Sequence, residues 1–461
     1  MSTPMRRQYL AIKKQFPDTI LFFRLGDFYE TFDSDAEIVA RVCDVVLTSR
    51  PVGLNERVPL AGVPYHSVEP HIARLVNAGY KVAIAEQLGN EPPPGEKLVE
   101  RVVRRVVTAG TVVEPGLLDE GRNNYLAAVA WSSAAGSGEG AVIGLAYADI
   151  TTGEFAATQF EGAEAERKLR QELARLQPAE LLVREETKTG ADGRTTGFPA
   201  VPPGPSLTRL PAWQFELETA RRALLEQFGV ESLAAFGCET LPQAVRAAGA
   251  LVQYLQQTQR GSLPHLDGLR TYDTGEFMTL DEATRRNLEL TQTIRSGSKK
   301  GSLLDVLDAT RTPMGARLLR KWLHQPLLDL AKLEARLDGV QAWHDQAPAR
   351  AELRDLLRHM GDLERWTNRA AQGIARPQEM VGIRQALALA SEIERTADHV
   401  SHFAAGVSAG AVQDILELLR SAIAEDPPAT LDKGGVIRQG FSAELDGIEI
   451  ASRDARQWVA G

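Results

Sequence analysis

Few residues in this sequence are spaced to do chemistry. The clearest sit together in Leu21-Phe22-Phe23-Arg24-Leu25-Gly26-Asp27-Phe28-Tyr29-Glu30-Thr31-Phe32. Phe28 offers a flat apolar ring that can stack. Glu30 offers a carboxylate that can accept hydrogen bonds, at the cost of repelling any anion nearby. Both follow Gly26-Asp27, whose turn chemistry ends the apolar, β-forming run from Ile20 to Leu25. A helix is expected next, with Ser34 as N-cap and Glu37 completing a capping box. Its buried face would run through Ala36, Val39, Ala40, Cys43, Val46 and Leu47. Side chains at a junction between a strand and a capped helix reach outward without drifting. Tyr29 falls on the other side of the backbone and is expected to be buried. Local sequence leaves a plainer role open for Glu30, as a helix cap or the ion-pair partner of a nearby Arg.

Other chemistries are poorly supplied. The two cysteines, Cys43 and Cys238, lie in different regions and offer neither a disulfide framework nor a metal site, so a reducing cytosol is the default. The phosphate-cradling string Gly-x-x-x-x-Gly-Lys-Ser/Thr does not occur; Ser296 to Gly301 is basic and Gly-rich but lacks the spacing and reads as a loop. Asp149 stands where a first-strand metal ligand would stand, yet Glu154 alone does not complete a two-metal site. The net charge of −9 argues mildly against a nucleic-acid binder, although such a site needs only a local basic surface. Arg6, Arg7, Lys13 and Lys14 are opposed locally only by Asp18, and Arg101, Arg104 and Arg105 form a second basic group. Each group also reads as an ordinary solvated face. Met1 to Phe16 has no apolar signal region, and no run of about 18 apolar residues exists to span a membrane.

The elements that must position these residues follow in order. Thr3-Pro4 reads as a cap and first helical position, with Met5, Tyr9, Ile12 and Phe16 on one packing face. Thr48 to Arg57 reads as a turn-rich loop carrying Arg50 and Arg57. A helix is expected over Ser67–Ala78, ended by Gly79, then strands over Tyr80–Ala85, Val102–Val107 and Thr111–Val113. This makes a mixed α/β domain over residues 1–115. A second α/β domain, residues 116–258, would start through Asn123–Val129 and hold strands at Ala141–Ile150, Gly153–Gln159 and Glu180–Val183. A helix falls over Ala163–Leu176, and Lys188–Pro211 reads as a surface loop. From Gln214 the pattern turns helical, including Leu241–Gln259, and residues 259–461 read as an all-helical body. Its caps are Asp281, Ser302 with Asp305, and Thr312-Pro313, and the helical pattern continues over Phe441–Val459. Trp322, Trp343, Trp366 and Trp458 read as packing residues.

Gly26-Asp27-Phe28-Tyr29-Glu30 after a hydrophobic strand resembles the signature of the MutS family of DNA mismatch repair proteins. The resemblance continues in order through Pro59-Leu60-Ala61-Gly62-Val63-Pro64-Tyr65-His66, Ala83-Ile84-Ala85-Glu86-Gln87 and Asp281-Glu282-Ala283-Thr284-Arg285-Arg286-Asn287-Leu288-Glu289-Leu290. It then takes in Thr312-Pro313-Met314-Gly315 and Arg320-Lys321-Trp322-Leu323-His324-Gln325-Pro326. It covers nearly the whole chain. It implies a mismatch-recognition domain, a ribonuclease H-like connector, and a core of long lever helices. The family continues into a clamp and an ATPase domain, so ATP and Mg²⁺ are expected only there, and this chain is expected to be neither an ATPase nor a metal protein.

The resemblance also implies roles. Phe28 would wedge into the minor groove and stack on a mispaired base, and Glu30 would accept a hydrogen bond from it. Arg50, Arg57, Arg101, Arg104 and Arg105 are candidate contacts to the DNA backbone. The implied partners are double-stranded DNA with mismatches or small loops, a MutL-type repair protein, and a second copy in the full-length family, in a bacterial, nucleoid-associated setting. A nuclease built on the ribonuclease H-like domain is the alternative of different class; an inactive structural fragment is the plainest.

Overall fold

A computed structural model gives the fold. It describes residues 3–53, 56–89, 99–132, 141–185, 188–189, 195–196, 204–261, 263–400, 409–431 and 434–460. The chain divides into two compact units, residues 1–275 with 279–288, and residues 276–278 with 289–461.

The first unit opens with helix α1 (Pro4–Gln15), whose N-cap Thr3 accepts from the Arg6 amide. Strand β1 (Thr19–Leu25) follows, and Gly26-Asp27 closes a two-residue hairpin to β2 (Phe28–Phe32), with Leu25 opposite Phe28. Gly26 takes φ +58°, a conformation that glycine adopts at little cost. Helix α2 (Asp33–Cys43), strands β3 (Thr48–Gly53), β4 (Glu56–Pro64), helix α3 (Glu69–Asn77), and strands β5 (Lys81–Gln87) and β6 (Arg101–Val107) complete one sheet. Its order is β3-β4-β2-β1-β5-β6, antiparallel except for β1 with β5.

Strand alternation divides the sheet's side chains between two cores. Tyr9 and Ile12 of α1 cover Leu21, Phe23 and Phe32 on one face. Helices α2 and α3 cover Ile20, Phe22 and Tyr29 on the other. Phe22 and Phe23 are both fully buried. By area, a buried Phe side chain contributes about 1.5–3 kcal/mol.

A second sheet starts with β7 (Leu126–Ser132), β8 (Val142–Asp149) and β9 (Glu154–Phe160), joined as antiparallel neighbours. Helix α4 (Ala165–Leu176) leads to β10 (Glu180–Arg184), parallel to β7. A two-residue pair, β11 (Lys188–Thr189) with β12 (Thr195–Thr196), precedes β13 (Ser206–Leu210), parallel to β10. Helices α5 (Leu217–Phe228) and α6 (Pro242–Gln259) pack on one face, and β14 (Arg270–Thr271) adds beside β9. The sheet order is β13-β10-β7-β8-β9-β14. Leu263, Leu266 and Leu269 are buried in this core, so the second body extends beyond residue 258. Buried Glu180 accepts from Thr208 Oγ1 (2.6 Å), Tyr254 Oη (2.7 Å), the Gly110 amide (3.0 Å) and Thr108 Oγ1, tying the two sheets together. Helix α7 (Glu282–Asn287), capped by Asp281, ends this unit.

Helices α8 to α15 make the second unit: Leu303–Leu307, Pro313–His324, Leu330–Asp345, Ala347–Arg358, Leu363–Ala371, Pro377–Val400, Gln413–Ala422 and Ala443–Ala460. Ser302 and Thr312 cap α8 and α9 through their side-chain oxygens, as their sequence positions require. Its small core gathers Val381, Ile383, Leu419 and Ile423 around Trp366. A Cβ at Gly361 or Gly382 would fall 2.0 or 2.4 Å from the Trp366 ring, so the indole occupies the space that both glycines leave. Trp322 is half-exposed beneath the Arg336 guanidinium, 3.9 Å from its ring centre. The side chain of Trp458 lies outside the described residues.

Several local expectations are corrected. The Ser34 capping box does not form: β2 runs directly into α2, whose N-cap is Phe32. Asp33 takes φ +55° with its carboxylate held by Arg6 at 2.6 Å. Helix α2 stops at Cys43 because Asp44 turns left-handed, which leaves Val46 and Leu47 exposed. Residues 48–53 and 56–57 are not a loop but hairpin strands, although Pro51, Gly53 and Pro59 disguise them; residues 54–55 lie outside the described residues. Thr111–Val113 is not a strand. β13 lies within the expected loop Lys188–Pro211; residues 190–194 and 197–203 of that loop lie outside the described residues.

Candidate nucleic-acid interface

The candidate site lies where α1 stops covering the first sheet. Phe28 and Glu30 are two apart on β2 and project on the face of Phe32. Phe32 is buried under Tyr9, but Phe28 at the hairpin is 46% exposed. It is the one exposed aromatic among Phe22, Phe23, Phe28, Tyr29 and Phe32. The register sets Phe28 opposite Leu25 and Pro64, and Glu30 opposite Phe23 and Gly62. A Cβ at Gly62 would lie 3.8 Å from both Phe28 Cδ1 and Glu30 Cγ, so Gly62 leaves a shallow gap between the two.

Tyr29 points the opposite way, as alternation requires, and is buried with its hydroxyl donating to Glu86. Burial raises the Tyr29 pKa above its ordinary value, and the neighbouring Glu86 carboxylate raises it further. The phenol therefore stays neutral and anchors the strand. Arg24, beside the turn, stacks 3.6 Å from the Tyr65 ring centre and donates to the Gly26 carbonyl. These contacts fix the backbone on both sides of Phe28, so the ring is presented from a rigid element.

Glu30 has a partner that local sequence left open. Arg50 Nη1 donates to Glu30 Oε2 at 2.5 Å, with side chains 39% and 18% exposed. Arg50 pairs with Val58 in register, which places it on the face shared by Leu60, Phe32, Glu30 and Phe28. Of the five candidate arginines it alone joins Phe28 and Glu30. Arg57 is exposed but pairs with Pro51 on the opposite face, where it donates to Ser49. Arg101 is buried, donating to the carbonyls of Arg24 and Val99 and lying over Phe23, so it is a structural residue. Arg105 is tied to Glu114. Arg104 is exposed on β6, three strands from Phe28, or about 14 Å at ordinary strand spacing. The N-terminal basic group is also partly consumed: Arg6 pairs with Asp33 and Lys13 with Asp35, at 2.6 and 2.9 Å.

The nuclease alternative finds little support. Asp149 is fully buried, and its carboxylate accepts from Asn123 Nδ2, the Asn124 and Thr151 amides and Thr151 Oγ1, at 2.6–3.1 Å. It fixes the turn into β9 instead of facing a substrate. Glu154, opposite it in register, accepts from Tyr125 and Tyr147. Among the described residues no three His, Cys, Asp or Glu side chains gather to hold a metal, and no helix is long and apolar enough to cross a membrane.

The fold and site define a multidomain protein whose N-terminal α/β body presents an exposed aromatic beside a carboxylate. Comparison with known families identifies which one. The description of MutS domain I matches residues 3–115, that of domain II residues 124–267, and that of domain III residues 283–458. The chain belongs to the MutS family and carries its domains I, II and III. It is similar to the DNA mismatch repair protein MutS of Symbiobacterium thermophilum, 45% identical over 100% of this chain and 52% of that protein. The MutS proteins of Dehalococcoides mccartyi and Syntrophomonas wolfei are 42% and 38% identical over 99% of the chain, which covers 51% and 52% of them. The chain thus spans about half the length of these curated relatives.

Proposed function

We propose that this chain recognises mismatched double-stranded DNA for mismatch repair, with Phe28 as the wedge and Glu30 as the base contact. The observation that carries this reading is the isolated exposure of Phe28 at a hairpin whose other aromatics are buried. A mispaired base stacks poorly, so unstacking and kinking that step cost less than at a paired one. A ring entering from the minor groove reads that difference without reading sequence. Glu30 then accepts a hydrogen bond from the displaced base, which an ordinary duplex cannot easily supply. Exposed Arg57 and Arg104 add affinity through phosphates, without sequence information.

The finer architecture belongs to the same proposal. The run β9-β8-β7-β10-β13, antiparallel in its first three strands and parallel thereafter, supports a ribonuclease H-like connector. The helices of the second unit suit a core with levers. In the whole protein a MutL-type partner and a second copy would act with these domains. Titrating the 461-residue chain into two duplexes that differ at one base pair tests the function. Tighter binding to the mismatched duplex is expected, and equal affinities would overturn the proposal.

A further inference from the structure

We propose that Arg50 is an internal competitor for Glu30, so that Arg50 sets how strongly the site discriminates between mismatched and matched DNA. The inference rests on the mismatch-recognition reading of Phe28 and Glu30 and adds a determinant to it.

In the free chain Glu30 is not a bare carboxylate. Its Oε2 already accepts from Arg50 Nη1 at 2.5 Å. A base that hydrogen-bonds to Glu30 must therefore displace the guanidinium or share the carboxylate with it. The geometry suits exchange. Arg50 lies on β3, the edge strand of the sheet, and its side chain is 39% exposed. Gly62, opposite Glu30 on the intervening strand, places no side chain beside the carboxylate. The pair is neither sealed from water nor held by a second acid, since Arg50 makes no other ion pair among the described residues.

The consequence has a definite sign. While the pair persists, matched DNA meets a neutralised Glu30 and is repelled little. On mismatched DNA the gain from the base contact is reduced by the interaction that must be given up. Both effects lower the ratio of mismatched to matched affinity. Removing Arg50 should therefore raise that ratio while lowering affinity for every duplex, because a cation is lost. A half-exposed ion pair is worth enough to move the ratio by about two- to fivefold.

The test is a set of titrations on the 461-residue chain and its variants, at one fixed salt, with duplexes carrying or lacking a single mismatch. Arg50→Gln should weaken both complexes and raise the ratio by that factor. Arg50→Lys, which keeps a point charge but loses the planar fork, should move the ratio the same way by less. In a Glu30→Gln background, Arg50→Gln should leave the ratio unchanged. Thermal unfolding of each variant verifies that the sheet is intact. An unchanged or lowered ratio with Arg50→Gln overturns the competition, as does a change that survives in the Glu30→Gln background. A wild-type ratio of one, or a ratio indifferent to Phe28→Ala, overturns the mismatch-recognition reading and the competitor with it. A ratio that collapses with Phe28→Ala but ignores Arg50 overturns the competitor alone.

Discussion

Replacing Phe28 by Ala separates a wedge from a core residue, because exposure makes the two readings predict different energies. A fully buried Phe truncated to Ala costs about 3–5 kcal/mol. Phe28 is 46% exposed, and the contacts it would lose are those with its neighbours around Gly62 and Pro64. Scaling by burial, Phe28→Ala should cost roughly 1.5–2.5 kcal/mol of stability. Phe23→Ala, at a position with no exposure one strand away, should cost the full amount and serves as the control. On DNA the order reverses. Stacking of a base on an aromatic ring is worth about 1–3 kcal/mol, so mismatched binding should weaken about 5- to 150-fold.

Matched duplex should scarcely respond, since a wedge that cannot enter a well-stacked step contributes little there. Phe28 carries no charge, so the dependence of affinity on salt should keep its slope. Fluorescence anisotropy with labelled duplexes differing at one base pair reads the affinities, and denaturant unfolding reads the stability. An equal loss on both duplexes would make Phe28 a general contact. A stability loss as large as that of Phe23→Ala would make it a core residue. Either result refutes the wedge.

Glu30→Gln should raise affinity for matched duplex, because a negative charge facing phosphates is removed and Arg50 is no longer held by a carboxylate. The ratio of mismatched to matched affinity should fall, since the base contact loses its charge assistance; paired titrations check both. His265 is buried with neither ring nitrogen hydrogen-bonded, and burial lowers its pKa to about 4. The unfolded chain therefore takes up that proton first. Stability should be fully present above about pH 6.5 and should fall by about 3 kcal/mol as pH drops towards 4. His265→Leu should flatten that part of a stability-versus-pH curve. In the helical unit, buried Arg317 makes a bidentate pair with Asp362 at 2.7 and 2.8 Å. Arg317→Met would leave that buried carboxylate only the more distant Arg365, 3.9 Å away, and should cost up to about 3–5 kcal/mol in denaturant unfolding.

The elements legible in the sequence are those whose causes are local. An apolar run cut by Gly26-Asp27 can hardly be anything but a strand and a tight turn, and Leu25 pairs with Phe28 accordingly. Thr3, Asp281, Ser302 and Thr312 cap their helices because a side-chain oxygen there satisfies an amide three residues on. The hairpin of β3 and β4 escaped the same reasoning. Its strand signal is interrupted by Pro51 and Gly53 on β3, which an edge strand tolerates, and by Pro59 on β4, one residue beyond the last pair with β2. Ser34 and Glu37 had the spacing of a capping box, but β2 passes straight into α2 with extended Phe32 as N-cap, so Ser34 lies inside the helix and cannot cap it.

Charge was the least legible property, for a reason that bears on the site itself. Sequence neighbours tell little about spatial partners across a sheet. Arg6 and Lys13 have only Asp18 as a local acid, yet Asp33 and Asp35 meet them from 27 and 22 residues away. Arg101, Arg104 and Arg105 are adjacent in sequence but become a buried backbone ligand, an exposed cation and an ion-pair partner. Arg50 looked like one more loop cation, whereas the register of two hairpins sets it against Glu30. Pleating therefore decides which cation can govern the carboxylate. A one-residue slip between β3 and β4 would send Arg50 to the other face and leave Glu30 unpaired. The bulge between Pro51 and Gly53 lies just beyond Arg50, so the register is regular through the Arg50–Val58 pair and irregular only after it. Deleting Val52 should leave that pair intact, whereas deleting Ser49 should shift the pairing and remove the competitor. Of the two deletions, only that of Ser49 should therefore raise the mismatched-to-matched ratio as Arg50→Gln does, and the same paired titrations would show it. If both deletions or neither raised the ratio, register would not be what places Arg50 on Glu30.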